Sequence, residues 1–432
     1  MICENVSVNE EGHLLFAGSD TVKLAEKYGT PLYLMDEDRI IKNCRTYVEA
    51  FQKYFGEGSM VCYASKAASF KQMCRIVNEA GMGLDVVSSG EICTVAAAGV
   101  SLENAFFHSN NKTDFDITYA MDNKIGYFVV DNVEELERIS EIAGEKNITQ
   151  KLLLRLTPGI DTHTYEAVNT GKVDSKFGTA IETGQARDIV KYALTLKNIE
   201  LMGFHCHIGS QVFDSDTFNR SSKIMLQFIA DMKNEIGFIT KKLDLGGGYG
   251  VRYVENDPVI DITENIKEVS ETIKAECKAL GIDVPDILME PGRSIAADAG
   301  MTLYTAGTVK RITGYKNYVS IDGGMTDNPR FALYGSSYTV EAANKMDEPK
   351  NFKCDVVGRC CESGDIIQRN VMLPESIKRG DTVAVLTTGA YNYAMASHYN
   401  RIPKPPIVML KGGKDYLAVK RETIEDMVRY DV

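Results

Sequence analysis

Eight positions in the first two-thirds of the chain each end a short apolar run with a residue that could do chemistry: Lys66, Asp85, His108, Asp131, Arg155, His207, Gly246 and Glu290. Lys66 sits in "MVCYASKAASF", between a strand-like run and a helix that Ser69 could cap, with no acidic residue near it in sequence. Desolvation without a neighbouring carboxylate favours a neutral, nucleophilic amine. Gly246, Gly247 and Gly248 follow the run "KLDL". Such glycines serve a tight turn, but three in a row exceed what a turn needs, and exposed backbone N–H groups hold phosphate. The spacing is not that of a dinucleotide fingerprint and lacks a Walker lysine, so the phosphate belongs to a smaller molecule. Asp131 reads as a helix cap.

"GFHCHIGSQ" places His205 and His207 two apart, on one side of a strand. They read either as a metal pair or as a flat ring under an aromatic cofactor, with Ser210 reaching the phosphate. The metal reading needs further ligands, and His13, His163 and His398 lie in different regions. In "MEPGRS", Pro291 and Gly292 make a sharp turn flanked by Glu290 and Arg293. A carboxylate at that depth needs a cationic partner, which a protonated ring nitrogen supplies. Lysine amine, phosphate nest, ring-stacking histidine and buried carboxylate together describe a site for pyridoxal 5'-phosphate. Lys66 would carry the Schiff base. Glu290 would keep the ring nitrogen protonated and the ring electron-withdrawing, which suits loss of CO₂ from an amino acid.

These residues need a scaffold. The apolar runs 60–65, 83–87, 105–108, 126–130, 152–156, 201–207, 242–245 and 287–290 are each followed by a turn and usually an amphipathic stretch. In "DNVEELERISEIA", Asp131 and Glu134 read as cap and capping box, and Val133, Leu136, Ile139 and Ile142 as one face. Ile266, Val269, Ile273, Cys277 and Leu280 mark another helix face. Eight strand–helix units predict an α/β fold closed as a (β/α)₈ TIM-type barrel over 36–305, whose functional face lies at the strands' C-terminal ends. An open doubly wound sheet is the alternative. From about Ala306 the strand-like runs 318–321, 352–357 and 382–386 predict a second, mostly β domain over 306–432. Residues 1–35 are expected to pack with it, because the strand "HLLFAG" needs a sheet to join.

The 432 residues carry a formal net charge of -12, which disfavours nucleic acid and anionic membranes. The ten scattered cysteines form no C-x-x-C pair and read as reduced thiols of a cytoplasm. No signal peptide or membrane-spanning run is visible.

The motifs "YASKA", "GLDVVSSGE", "FHSNNK", "DSKFGT", "FHCHIGSQ", "LDLGGGYG", "MEPGRS", "DGGMTDNPRFALYG", "CCESGDI" and "GAYNYAMASHYN" resemble, in order, those of the diaminopimelate decarboxylase family. That family belongs to the fold-type III pyridoxal phosphate decarboxylases, relatives of ornithine decarboxylase and alanine racemase. The resemblance implies a homodimer that converts meso-2,6-diaminopimelate to L-lysine and CO₂, the last step of lysine synthesis. It implies that Lys66 is the Schiff-base lysine, supported by Asp85, with His207 stacked on the ring and Glu290 at its nitrogen. Ser210, Gly246, Gly247, Gly248 and the turn Glu290–Pro291–Gly292–Arg293 would hold the phosphate. Arg293, Arg330, Tyr334 and Glu362 match substrate-binding positions, and Tyr391 touches cofactor and substrate. Cys361 matches the proton donor, and Cys361 and Glu362 would reach the partner subunit's site. A cation and an anion together suit the second ammonium–carboxylate pair of diaminopimelate. Two alternatives are a decarboxylase of another amino acid such as carboxynorspermidine and a metal-dependent barrel hydrolase using His205 and His207. Whether the loop 157–179, with Lys176, closes over substrate is open at this level.

Overall fold

The computed structural model describes residues 2–160 and 175–432. The chain divides into two compact units: Asn43–Gly250 with Val259–Gly292, and Met1–Lys42 with Val251–Pro258 and Arg293–Val432. The boundary thus comes at Gly292 rather than near residue 306, and a short excursion after Gly250 joins the other unit.

In the first unit eight parallel strands hydrogen-bond in chain order. They are Met60–Ala64, Gly83–Val86, Ala105–Phe107, Tyr127–Val130, Gln150–Thr157, Ile199–His205, Lys242–Asp244 and Asp286–Met289. The eighth closes on the first, Leu288 opposite Met60 and Met289 opposite Val61. The sheet is therefore a closed barrel, not an open doubly wound sheet. Its interior is filled by Cys62, Phe106, Val129, Leu153, Met202 and Leu288. Because side chains alternate along a strand, the residue two further on faces the same way. Phe106 is thus succeeded by His108, Val129 by Asp131, Leu153 by Arg155 and Leu288 by Glu290. An apolar plug supports a polar layer at the C-terminal mouth. On the sixth strand the register slips between Leu201 and Gly203. The slip lets both Met202 and His205 join inward layers although they are three apart.

The helices show the expected buried faces, with corrections at their caps. Ile262–Leu280 buries Ile266, Val269, Ile273 and Cys277. Val133–Glu145 buries Leu136, Ile139 and Ile142, but Val133 is exposed. Its N-cap is Asn132, whose side chain accepts the Glu135 N–H; Asp131 instead accepts the Gly178 N–H at 2.9 Å. Ser69 caps nothing: the helix Lys71–Glu79 starts after Phe70, without a side-chain cap bond.

The second unit is built on a nine-stranded sheet. Its long strand Gly300–Ile312 pairs with Lys316–Ile321, Thr382–Leu386 and Leu32–Asp36. Leu32–Asp36 is thus the N-terminal strand that enters this sheet. The anticipated "HLLFAG" strand, Leu14–Phe16, lies in a separate three-stranded sheet. Two apolar cores fill this unit, one around Tyr253, Tyr304, Val356 and Leu373 and one around Leu14, Leu34, Leu303 and Leu386.

Candidate active site

The polar layer of the barrel centres on Glu290, which is 5% exposed. His108 Nε2 lies 2.6 Å from its Oε1, and His205 Nε2 lies 3.4 Å from its Oε2. Burial works against ionisation of Glu290, but the two imidazoles hold its carboxyl well below the usual carboxylate range. The neighbours are sorted oppositely. Burial, reinforced by the charge of Glu290, pushes the Asp244 carboxyl well up, so it stays protonated. Burial lowers His205 to about 3, with Glu290 opposing, so that ring is neutral and Nε2 carries its proton toward Glu290. The ionised Glu290 therefore stands beside a protonated Asp244 and a neutral His205.

Lys66 lies in a 3-10 turn, Ser65–Ala67, directly after the first strand. Its Nζ is 3.9 Å from Asp85 Oδ2, and its side chain is 42% exposed. This corrects the expectation of a desolvated amine without a carboxylate beside it: the anion comes from the next strand, so sequence distance hides it. Asp85 is fully buried, and its carboxyl is raised by burial against the pull of His108 and Lys66. Neither Asp85 oxygen makes a hydrogen bond. The turn after Glu290 packs under Lys66. The Ala64 N–H donates to Pro291 O at 3.1 Å, and a Cβ on Gly292 would lie 2.9 Å from the Ala64 Cβ.

The triple glycine has a second reason beyond phosphate. A Cβ on Gly247 would lie 2.0 Å from Glu290 O, so the seventh and eighth strand ends meet only through glycine. The Gly246 N–H donates to Asp244 Oδ1 and the Gly247 N–H to His207 Nδ1, at 2.8 and 3.3 Å. Only Gly248 of the three keeps its N–H without a protein partner among the described residues. His207 lies past the end of its strand, which stops at His205, so the two histidines do not form the anticipated pair. Burial and the charges of Lys66 and Arg155 keep the His207 ring neutral. Ser210 follows in the same loop, partly exposed. Donor atoms of His108, His205, Asp244 and Glu290 lie within 4.8 Å of one another, a grouping that excludes His207.

The second unit carries the other predicted residues. Arg293 and Arg330 are buried, and both donate to the phenolic oxygen of Tyr253. The Tyr391 ring centroid is 4.7 Å from the Arg293 guanidinium and 5.8 Å from that of Arg330. Tyr391 takes φ 61, a left-handed conformation costly for a residue with a Cβ. Tyr334 ends the short helix Arg330–Tyr334 and is partly exposed. Cys360 and Cys361, indistinguishable as letters, differ in place. Cys360 is buried, its N–H donates to Asp365 Oδ2 at 2.7 Å, and burial with Asp365 pushes its thiol up to about 11. Cys361 is exposed, and so is Glu362. Of the loop 157–179, residues 161–174 lie outside the described residues. Lys176 is exposed, its Nζ 4.9 Å from the Phe177 ring centroid.

Sequence reasoning missed the placement of His108 against Glu290, the protonated Asp244 and the role of Tyr253. His108 was visible as a strand end; Asp244 precedes the glycines and reads as part of the strand.

A pyridoxal phosphate needs an amine, an anion for its ring nitrogen and N–H donors for its phosphate. Lys66 offers an amine, the ionised Glu290 an anion and the Gly248 N–H a donor. The unsatisfied oxygens of Asp85 and Nδ1 of His205 are polar capacity that a polar guest takes up. The residues fit the group.

Comparison with known proteins agrees. Residues 37–297 match the pyridoxal-dependent decarboxylase family, pyridoxal binding domain. The chain is 42% identical over 424 residues to a diaminopimelate decarboxylase of Bacillus subtilis (strain 168), covering 98% of this chain and 96% of that one. It is 43% identical to one of Staphylococcus aureus (strain COL), covering 99% of each. The crystal structure of diaminopimelate decarboxylase from M. jannaschii in complex with L-lysine superposes with a TM-score of 0.92 at 31% identity, covering 100% of this chain and 98% of that chain.

Proposed function

The chain belongs to the diaminopimelate decarboxylase family of pyridoxal-dependent decarboxylases, and on that premise we propose how its residues convert meso-2,6-diaminopimelate to L-lysine and CO₂. The observation that carries this reading is a lysine amine beside a row of buried ionisable groups, Asp85 and His108, that ends in the ionised Glu290, at the mouth of a closed barrel. Bound pyridoxal 5'-phosphate supplies an aldehyde for an amine and a ring that draws off the electron pair left by a departing carboxylate.

The chain's own groups then have distinct tasks. Lys66 offers the amine that tethers the cofactor, and Asp85 stabilises positive charge there. Glu290, kept anionic by His108 and His205, would face the ring nitrogen and hold its proton. His207 is a neutral flat ring suited to lie against the cofactor face. Ser210, Gly246 to Gly248 and the turn from Glu290 to Arg293 would take the phosphate, with the Gly248 N–H as the donor still available. Arg293, Arg330, Tyr334, Tyr391 and Glu362 would bind the amino-acid substrate, arginine fixing its far carboxylate through paired hydrogen bonds. Cys361 would give the proton that replaces the lost carboxylate, as a neutral thiol.

The exposure of Cys361 and Glu362 supports their service in a second subunit's site, and hence a homodimer. All ten cysteines are free, which suits a reducing compartment such as the cytoplasm. Among the described residues no helix is long and apolar enough to cross a membrane.

The test is to load the protein with pyridoxal phosphate, reduce it with borohydride and map the peptides. The label is expected on Lys66, and lysine is expected from meso-diaminopimelate without CO₂ release from lysine or ornithine. Label elsewhere, or no lysine formed, refutes the assignment.

A further inference from the structure

Tyr253 lies on the excursion Val251–Pro258, which belongs to the second unit although barrel residues flank it in sequence. It is 5% exposed. Its phenolic oxygen accepts from Arg293 at 2.6 Å and from Arg330 Nη1 at 2.8 Å. Two guanidiniums share one oxygen. Arg330 has two further bonds, to the Tyr338 hydroxyl at 3.1 Å and to Ser336 Oγ at 3.2 Å. None of these partners is a carboxylate, although Arg330 is buried.

A buried guanidinium held by hydroxyl oxygens and no carboxylate is an unusual choice for stability alone. Pairing it with a carboxylate would neutralise it, at the cost of its power to bind another. Phenols satisfy its N–H groups and leave its charge available to an incoming anion. The surrounding rings hold this arrangement. Tyr253 meets Tyr338 edge-on at 5.3 Å, and the Arg330 guanidinium carbon lies 5.2 Å from the Tyr253 ring centroid. Tyr391 faces both guanidiniums from its left-handed backbone.

We infer that Tyr253 is the positioning residue for carboxylate recognition, its hydroxyl holding the Arg293 and Arg330 guanidiniums together and aimed for the carboxylate at the far end of an amino-acid substrate. The inference rests on the decarboxylase reading. The carboxylate lost as CO₂ is the one at the reacting end, so the product L-lysine keeps the far carboxylate. Tyr253 therefore serves substrate and product alike, and only an amine without that carboxylate, such as cadaverine, escapes it.

The test uses the Tyr253→Phe variant of the full chain loaded with pyridoxal phosphate. Phenylalanine keeps the ring against Tyr338 and removes only the shared oxygen. Hydrogen bonds to charged groups set the expected rise in KM for meso-diaminopimelate at about 10- to 100-fold. The competitive inhibition constant of L-lysine, which carries the same far carboxylate, should rise by a similar factor. The kcat and the inhibition constant of cadaverine, which lacks it, should each move by less than about threefold, as loss of uniform binding at the far end requires. Tyr338→Phe removes one bond to Arg330 and none to Arg293, and its KM should rise less. An unchanged KM in Tyr253→Phe overturns the inference. So does an unchanged inhibition constant of L-lysine, a parallel weakening of cadaverine, or a larger effect of Tyr338→Phe. If the wild-type protein forms no lysine from diaminopimelate, the decarboxylase reading fails and the inference falls with it. A wild-type protein that works beside an unaffected variant refutes the inference alone.

Discussion

Replacing either member of the Lys112–Glu135 pair should be far more damaging than replacing both. The Lys112 ammonium is 0% exposed and the Glu135 side chain 3%. Nζ donates to Glu135 Oε1 at 2.7 Å, to Val129 O at 2.8 Å and to Ser109 O at 3.2 Å. Lys112→Met leaves a carboxylate buried without its counter-charge, and Glu135→Leu leaves the ammonium so. Each should cost about 3–5 kcal/mol. In the double variant no charge is stranded, and the chief remaining loss is two backbone carbonyls deprived of a donor, about 1–3 kcal/mol each. Summed single costs of about 6–10 kcal/mol against about 2–6 kcal/mol for the double variant imply a coupling of about 4 kcal/mol at the mid-values. Equilibrium urea unfolding of the four proteins measures it as a double-mutant cycle. Additive single effects, with a double variant as unstable as their sum, would refute the reasoning that an isolated buried charge dominates. The pair also bears on the site, because Ser109 adjoins His108 and Lys112 ties that loop to the neighbouring strand.

Two further outcomes follow. Burial, with the charge of Asp85 beside it, pushes the Glu91 carboxyl up to about 7 from its ordinary 4.5. The folded state then holds a proton that the unfolded state releases. Stability should therefore fall as pH rises from about 4.5 to about 7, by about 3 kcal/mol from this group. Glu91→Gln should flatten that decline in urea midpoints taken across the window; an unaltered slope contradicts it. If Cys361 is the proton donor proposed above, Cys361→Ala should lower kcat by about a hundredfold or more, whereas Cys360→Ala should retain most activity. Mixing inactive Cys361→Ala with inactive Lys66→Ala subunits should restore activity if sites are shared between subunits, and no recovery would refute that sharing.

The barrel was legible because its strands are short, apolar and evenly spaced, and because alternation carries an inward core residue to an inward polar one two positions later. Leu288 and Glu290 illustrate this: the first is plug, the second is site. What could not be read were pairings set by the strand beside rather than the strand itself. Lys66 looked isolated because Asp85 approaches it from the next strand, and Asp131 looked like a cap because its partner, Gly178, comes from a distant loop. His205 and His207 looked like a pair because sequence does not mark where a strand stops. The two adjacent cysteines were alike until burial separated them. Tyr253 was concealed by topology, since nothing in "GVRYVENDP" announces that the chain has left the barrel unit there.

The arrangement around Glu290 also shows why composition alone could not reveal its charge. Asp85, Asp244 and Glu290 are all buried carboxyls. Burial by itself would protonate all three. The difference lies in what approaches each one. Two imidazoles reach Glu290, whereas Asp244 receives the Gly246 N–H and the repulsion of Glu290 itself. Ionising one carboxyl raises the cost of ionising its neighbour, so the histidines choose which carries the charge. His205 is itself held neutral by burial, and so it stabilises the anion as a hydrogen-bond donor without cancelling it. Of the adjacent Asp244 and Glu290, the negative charge thus falls on Glu290, and its hold there depends on two histidines.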